Sequence, residues 1–288
     1  MLKNHAIKAL MALIVLTLGC TSGSSNDLND ALLWRIEGPG IETSYLFGTI
    51  HVMPRDQFVI SEKVSAAVQE CDQLVMELDL DDISLQMEVL KYAAMQDGTT
   101  LSSLVPENDF AKIDSVVTET LGVGLSSFQN FKPFVISTFL ISRYIDGPPA
   151  AFELALMRVA EERGKEILGL ETVAEQMAVF DRIPYEIQAR ELVKMVNDED
   201  KIRSDYRDLL AQYQAEDLQA MYDLMVGYMS TEEERYELLD SRNEKWIPQI
   251  LELAESKTSF FAVGAGHLAG DNGLIALLRA QGYSVTPL

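Results

Sequence analysis

Histidine and cysteine are nearly missing from this chain, whose 288 residues hold three of the first and two of the second. His5 and Cys20 fall in an N-terminal stretch that reads as a leader, which leaves His51, His267 and Cys71 for the rest. A lone thiol excludes an intramolecular disulfide. Cys71, just before an apolar strand, reads as a small buried side chain and not as a nucleophile. Basic residues are scarce too, with 23 Lys and Arg against 45 Asp and Glu and a net charge of −22. Such a surface repels phosphate backbones and argues against nucleic acid as a partner. The N-terminal apolar run falls well short of the roughly 20 residues that cross a bilayer. No Gly-x-Ser-x-Gly elbow, His-Glu-x-x-His helix or phosphate-binding glycine-rich loop is present.

What the N-terminus does have is Lys3 and Lys8, the apolar run Ala9 to Gly19, and Cys20 followed by Thr21-Ser22-Gly23-Ser24-Ser25. This pattern reads as a signal peptide over 1–19 and a lipidated tether over 20–31. Thr17-Leu18-Gly19-Cys20 resembles the bacterial lipoprotein processing site, with Cys20 as the acylated residue. Acylation with more than one chain anchors a protein stably to a lipid bilayer. Thr21, where an inner-membrane lipoprotein would carry Asp, implies an outer-membrane anchor facing the periplasm. Residues 32–288 then form one domain.

The two remaining histidines close the same pattern, Gly48-Thr49-Ile50-His51 and Gly264-Ala265-Gly266-His267. Aromatic-rich strands lead into both, Thr43 to Phe47 and Thr258 to Val263. A helical stretch and a second strand follow each, through Gln73 to Leu78 in the first half and Tyr283 to Thr286 in the second. The expected fold class is therefore α/β, a small central sheet built from two similar βαβ units at the two ends of the chain. Ligands of parallel sheets sit beyond the carboxyl ends of the strands, where both histidines fall. The glycines supply either positive φ or close backbone approach at the exit.

Between the units, from about 83 to 257, lies a large helical insertion. Ile83 to Met95, Glu107 to Leu121, Pro133 to Ile145, Phe152 to Arg163, Ala174 to Phe180, Tyr185 to Asn197, Asp200 to Ala215 and Asp217 to Met229 read as helices. Glu232 to Ser256 reads as one more, with a possible interruption at Pro248. Lys165 to Leu170 is a short strand ending at Glu171. Met221, Met225 and Met229 share one helical face, which suits core filling better than a soft-metal or adaptable binding surface.

Two imidazoles at strand ends can bind one divalent metal when carboxylates complete the shell, or can act as general bases. Glu77 is the first candidate carboxylate, because an unpaired charge in the apolar strand Leu74 to Leu78 is costly to bury. Glu171 is the second. Each glutamate has an alternative, solvent exposure on an edge strand or pairing with an arginine such as Arg35 or Arg242. With no elbow serine present, an activated water is the economical nucleophile toward an amide or ester carbonyl.

Leu33-Trp34-Arg35, Tyr45-Leu46-Phe47-Gly48-Thr49-Ile50-His51, Met76-Glu77-Leu78-Asp79, Gly169-Leu170-Glu171-Thr172 with Gln176, Arg242-Asn243, and Val263 to Leu268 together resemble the TraB/GumN family. That family includes the TIKI membrane-associated metalloproteases and is distantly similar to erythromycin esterases and ChaN-type haem-binding lipoproteins. The resemblance runs from about Leu32 to Leu288. It implies a compact α/β fold with His51, His267 and Glu77 in the site and, in TIKI-like members, Mn- or Co-dependent peptide cleavage. Glu171, Arg242 and Asn243 carry over as motif residues. Phe152-Glu153-Leu154 departs from the family pattern, where many members have Gly, an aliphatic residue and Asp, and puts a substrate-side contact in question.

The leading expectation is an envelope-anchored, peptidase-like hydrolase acting on a peptide or small molecule. His51, His267 and Glu77 hold Mn, Co or Zn in it, Glu171 is a further ligand or general base, and Arg242 polarises the carbonyl. One alternative is a metal-independent esterase with a histidine base. Another is a non-enzymatic lipoprotein binding haem or a small ligand, with Tyr45 or Tyr144 as ligands.

Overall fold

The computed structural model describes residues 31–229 and 231–288. The expected signal peptide, Cys20 and the tether as far as residue 30 lie outside the described residues. Among the described residues eight short strands form: β1 (Leu33–Glu37), β2 (Ser44–Thr49), β3 (Val52–Pro54), β4 (Gln73–Met76), β5 (Pro149–Ala151), β6 (Glu166–Gly169), β7 (Ser259–Gly264) and β8 (Ser284–Pro287).

Six strands make the main sheet in the order β6-β4-β7-β2-β1-β8. The run β6, β4, β7, β2 is parallel throughout, and β1 is antiparallel to both of its neighbours. The fold is thus mixed α/β around a mainly parallel sheet. The two repeated units do not stand apart within it. β7 of the second half lies between β2 and β4 of the first, and β8 lies beyond β1, so neither half pairs its own two strands. Burial accounts for the central place of β7, all six of whose residues are buried. A strand covered on both faces carries no polar alternation, and Phe260, Phe261, Ala262 and Val263 supply a continuous apolar run.

Helices Glu62–Glu70 and Phe152–Glu161 pack together, the latter against β4 and β6, while Ser241–Ser256 and Leu274–Ala280 pack together against β7 and β8. The helical middle forms as a layer in which Pro133–Tyr144 packs on Glu107–Leu121, Tyr185–Asn197 and Glu199–Gln214. One expectation needs correction, the single helix over 232–256 broken at Pro248. Helix Glu232–Arg235 passes instead into a π-helical turn, Tyr236–Asp240, and then into Ser241–Ser256, with Pro248 inside it. Pro248 is exposed, while Trp246, Ile247 and Ile250 are buried and hold the helix together around it. Cys71 is buried, and burial pushes its thiol up to about 12, in keeping with a packing role. Among the described residues no helix is long and apolar enough to cross a membrane.

A second, two-stranded sheet lies beside the end of β2. β3 pairs antiparallel with β5, with Val52 opposite Ala151. His51 immediately precedes β3 and Phe152-Glu153 immediately follows β5, so the ladder brings residues distant in sequence side by side. The N–H of Phe152 donates to the carbonyl of His51 at 3.0 Å.

Candidate functional site

Four of the predicted residues leave the same edge of the parallel sheet. His51 follows β2, Glu77 follows β4, Glu171 follows β6 and His267 ends the turn after β7. Because these four strands are consecutive neighbours and parallel, their carboxyl ends collect the side chains in a row. Arg242 and Asn243 reach the row from the first turn of helix Ser241–Ser256. His51, Glu77, Arg242 and His267 line one cavity of about 80 Å³ together with Thr49, Gln176 and Gly264.

His51 is held in an uncommon conformation, with φ +57, a region costly for a residue bearing Cβ and found mainly where function or packing demands it. Of the two roles expected of the glycines, close approach is the one Gly48 fills, a Cβ there standing 3.1 Å from Ala265, while the positive φ belongs to the histidine. Its Nδ1 lies 2.6 Å from Oε1 of Glu153, which also accepts from Thr49 Oγ1 at 2.8 Å. An ionised carboxylate only accepts, so Nδ1 carries the proton and Nε2 turns to the cavity, 4.0 Å from Oε1 of Glu77. Burial opposes charge on this ring, yet the charge and hydrogen bond of Glu153, with Glu77 behind, push it up to about 9. Glu153 is buried, and its other oxygen, Oε2, has no partner among the described residues.

His267 is the opposite case. The amide of Asn243 is oriented by donating to the carbonyls of His267 at 3.2 Å and Asn272 at 2.8 Å. Its oxygen therefore faces Nδ1 of His267, at 2.7 Å, and Nδ1 is the donor. Nε2 is left as an acceptor for Arg242 Nη1 at 2.9 Å. Burial and the adjacent guanidinium push this imidazole down to about 3, so it stays neutral. The ring packs on Trp246 at 4.5 Å between centroids.

Arg242 is the hub of the row. Nη2 donates to Glu77 at 2.6 Å and to Glu171 at 2.5 Å, and Nε donates to Glu171 at 3.2 Å. Nη1 donates to His267 and, at 3.3 Å, to the carbonyl of Leu238. All five guanidinium donors are thus committed. Burial opposes ionisation of Glu77, but Arg242 above all, with His51 and the N–H of Gly264 at 2.8 Å, outweighs it and holds the carboxylate well below its usual range. Glu171 is raised, because burial outweighs Arg242 and Gln176 there. Glu171 does not line the cavity and grips Arg242 from behind, with Gln176 donating to it at 2.9 Å. Gly264 lies under this group, where a Cβ would stand 3.0 Å from Nε2 of His51 and 3.3 Å from Oε1 of Glu77.

The three donors assigned to one metal, His51, His267 and Glu77, do converge. As arranged they do not fit an ion. Arg242 already holds His267 Nε2 and Glu77 Oε2, and a divalent cation there would face a buried guanidinium. Among the described residues no group of three His, Cys, Asp or Glu side chains is spaced to hold a metal. The alternative pairing with arginine is realised for both glutamates, through Arg242, whereas Arg35 pairs with Glu37. Tyr45 donates to Glu70, Tyr144 donates to the carbonyl of Met195, and neither lines this cavity. The haem ligands proposed for them are not at the site.

Glu153 is the residue the sequence reading missed. It showed there only as a departure from the family pattern, and its partnership with His51 depends on the β3–β5 ladder between distant segments.

The model of the TraB/PrgY/gumN family matches residues 32–287. Among curated proteins, the chain is similar to metalloprotease TIKI2 of Danio rerio, 22% identical over 319 residues, with 91% of this chain and 61% of the relative covered. Metalloprotease TIKI1 of Danio rerio is 24% identical over 324 residues, covering 93% and 65%. A metalloprotease TIKI homolog of Amphimedon queenslandica is 22% identical over 343 residues, covering 97% and 66%. The chain therefore spans under two thirds of the length of these relatives. No solved structure matches it.

Proposed function

The chain belongs to the TraB/PrgY/gumN family, and from that premise we propose that it is a metalloprotease-like hydrolase of amide or ester bonds. The observation that carries the reading is the His51–Glu153 pair, a buried carboxylate holding one imidazole nitrogen so that the other faces a cavity at a strand edge. In the reaction His51 Nε2 takes a proton from water as the oxygen attacks the carbonyl carbon. The tetrahedral adduct collapses, the bond to the leaving nitrogen or oxygen breaks, and His51 returns the proton to it. Glu153 keeps the ring in the right tautomer and stabilises its cation. Arg242 faces the carbonyl oxygen once it releases Leu238, the longest of its contacts.

The names of the relatives favour a second form of the same reading, in which a divalent metal takes part. His51, His267 and Glu77 would hold it, and it would supply Lewis-acid polarisation, but only after Arg242 withdraws from two of them. The test is hydrolysis of short peptides and aryl esters by the purified protein, before and after exhaustive chelation. His51→Ala lowers kcat by about 10²–10⁴-fold in either form. Activity that survives chelation selects the arginine-held form. Loss on chelation with recovery in Mn or Co selects the metal form. Hydrolysis indifferent to His51→Ala removes both.

A further inference from the structure

One part of the cavity is charged and serves the hydrolytic reading; the other is apolar and so far has no role. Met221, Met225 and Met229 come from helix Leu218–Tyr228 and the residue after it, and Leu238 and Leu239 from the π-helical turn. The methionine stripe that suited simple core filling is therefore part of the cavity lining. Gly266, in the second Gly-x-x-His loop, makes this possible, since a Cβ there would meet Met225 Cε at 2.1 Å and Sδ at 2.7 Å. The loop that carries His267 thus seats Met225 directly against the site. Met221, Leu238 and Leu239 are buried, while Met225 and Met229 are half-buried and so in reach of a ligand.

We propose that this wall receives an apolar side chain flanking the scissile carbonyl, so that the substrates are peptides or acyl esters cleaved beside a residue such as norleucine, Met or Leu. The proposal rests on the hydrolytic reading of the same cavity and adds its substrate class. A volume of about 80 Å³ holds on the order of five waters, which is room for a reacting carbonyl and one short chain. A charged side chain against Met and Leu would lose its water, and Glu77, the carboxylate on the same cavity, is already held by Arg242. Methionine suits a flexible, unbranched guest because its thioether adapts to irregular shapes.

The test uses the full chain with N-acetyl-aminoacyl 4-nitrophenyl esters of norleucine, lysine and glutamate. A parallel arm measures binding of N-acetyl-norleucinamide and N-acetyl-lysinamide through Trp246, which packs on His267. The expected result is kcat/KM at least about 10-fold higher for norleucine, the discrimination a few methylenes provide. Met225→Gln brings that ratio toward one by raising KM, and Met225→Leu keeps it. Hydrolysis without a norleucine preference, or a preference untouched by Met225→Gln, overturns the inference and leaves the hydrolytic reading standing. Absence of hydrolysis with norleucinamide still bound at least about 10-fold tighter, and that margin lost in Met225→Gln, supports the wall and removes the hydrolytic reading. Equal binding of the two amides without hydrolysis removes both.

Discussion

Arg242 shows how much one buried side chain can organise. It balances Glu77 and Glu171, gives His267 its proton donor, and leans over Trp246 at 4.6 Å. Removing one member of such a buried ionic group leaves the others uncompensated. Arg242→Met, which keeps the volume, is expected to cost about 3–5 kcal/mol and to lower the melting temperature in calorimetry. An unchanged melting temperature contradicts the hub role. Much of this group was legible in the sequence, because a histidine that closes a repeated pattern and a glutamate inside an apolar strand are conspicuous. Glu153 was not, since an acid in the first turn of a helix is ordinary and its partner is chosen by long-range pairing. The commitment of Arg242 to all its acceptors was equally hidden, because periodicity does not encode which charges meet.

At the level of elements, the helices were read well where one face is apolar. Glu107–Leu121 and Tyr185–Asn197 have the bounds their periodicity predicts. The strands β2, β4, β6, β7 and β8 were legible too, whereas β1 and the short pair β3 and β5 were not, and neither was strand order, since an apolar run states that a strand is buried and not which neighbour buries it. The π-helical turn Tyr236–Asp240 was out of reach for the same reason: it sets Leu238 and Leu239 on the cavity and delivers Arg242 to the row, a demand of the site and not of local propensity. Pro248 belongs to this scale. It is exposed inside a continuous helix, so its ring removes a backbone hydrogen bond without serving the core. Pro248→Ala is expected to stabilise the protein by about 1–3 kcal/mol, read as a higher denaturant midpoint. A lower midpoint would show that the proline is needed for the helix to curve over the sheet.

Taken whole, the molecule is an acidic body in which the row of candidate site residues lies at the carboxyl ends of the parallel strands. The proposed setting is the bacterial envelope, with Cys20 acylated and the body facing the periplasm. Cys20→Ser is expected to abolish palmitate labelling and release the protein from the membrane fraction, and labelling that persists contradicts the tether. The pH dependence of the intact protein gathers the site's charges into one observable. A base must be neutral to accept a proton, so with His51 at about 9 kcat/KM rises with pH and levels off above that value. Glu153→Gln keeps the hydrogen-bond acceptor and removes the charge. The decisive measurement is the kcat/KM profile of the wild type and Glu153→Gln side by side. The account predicts that the limb moves down from about 9 toward the ordinary histidine value of about 6.5, with a lower plateau. A limb that stays in place in Glu153→Gln would show that the His51–Glu153 pair is not the base.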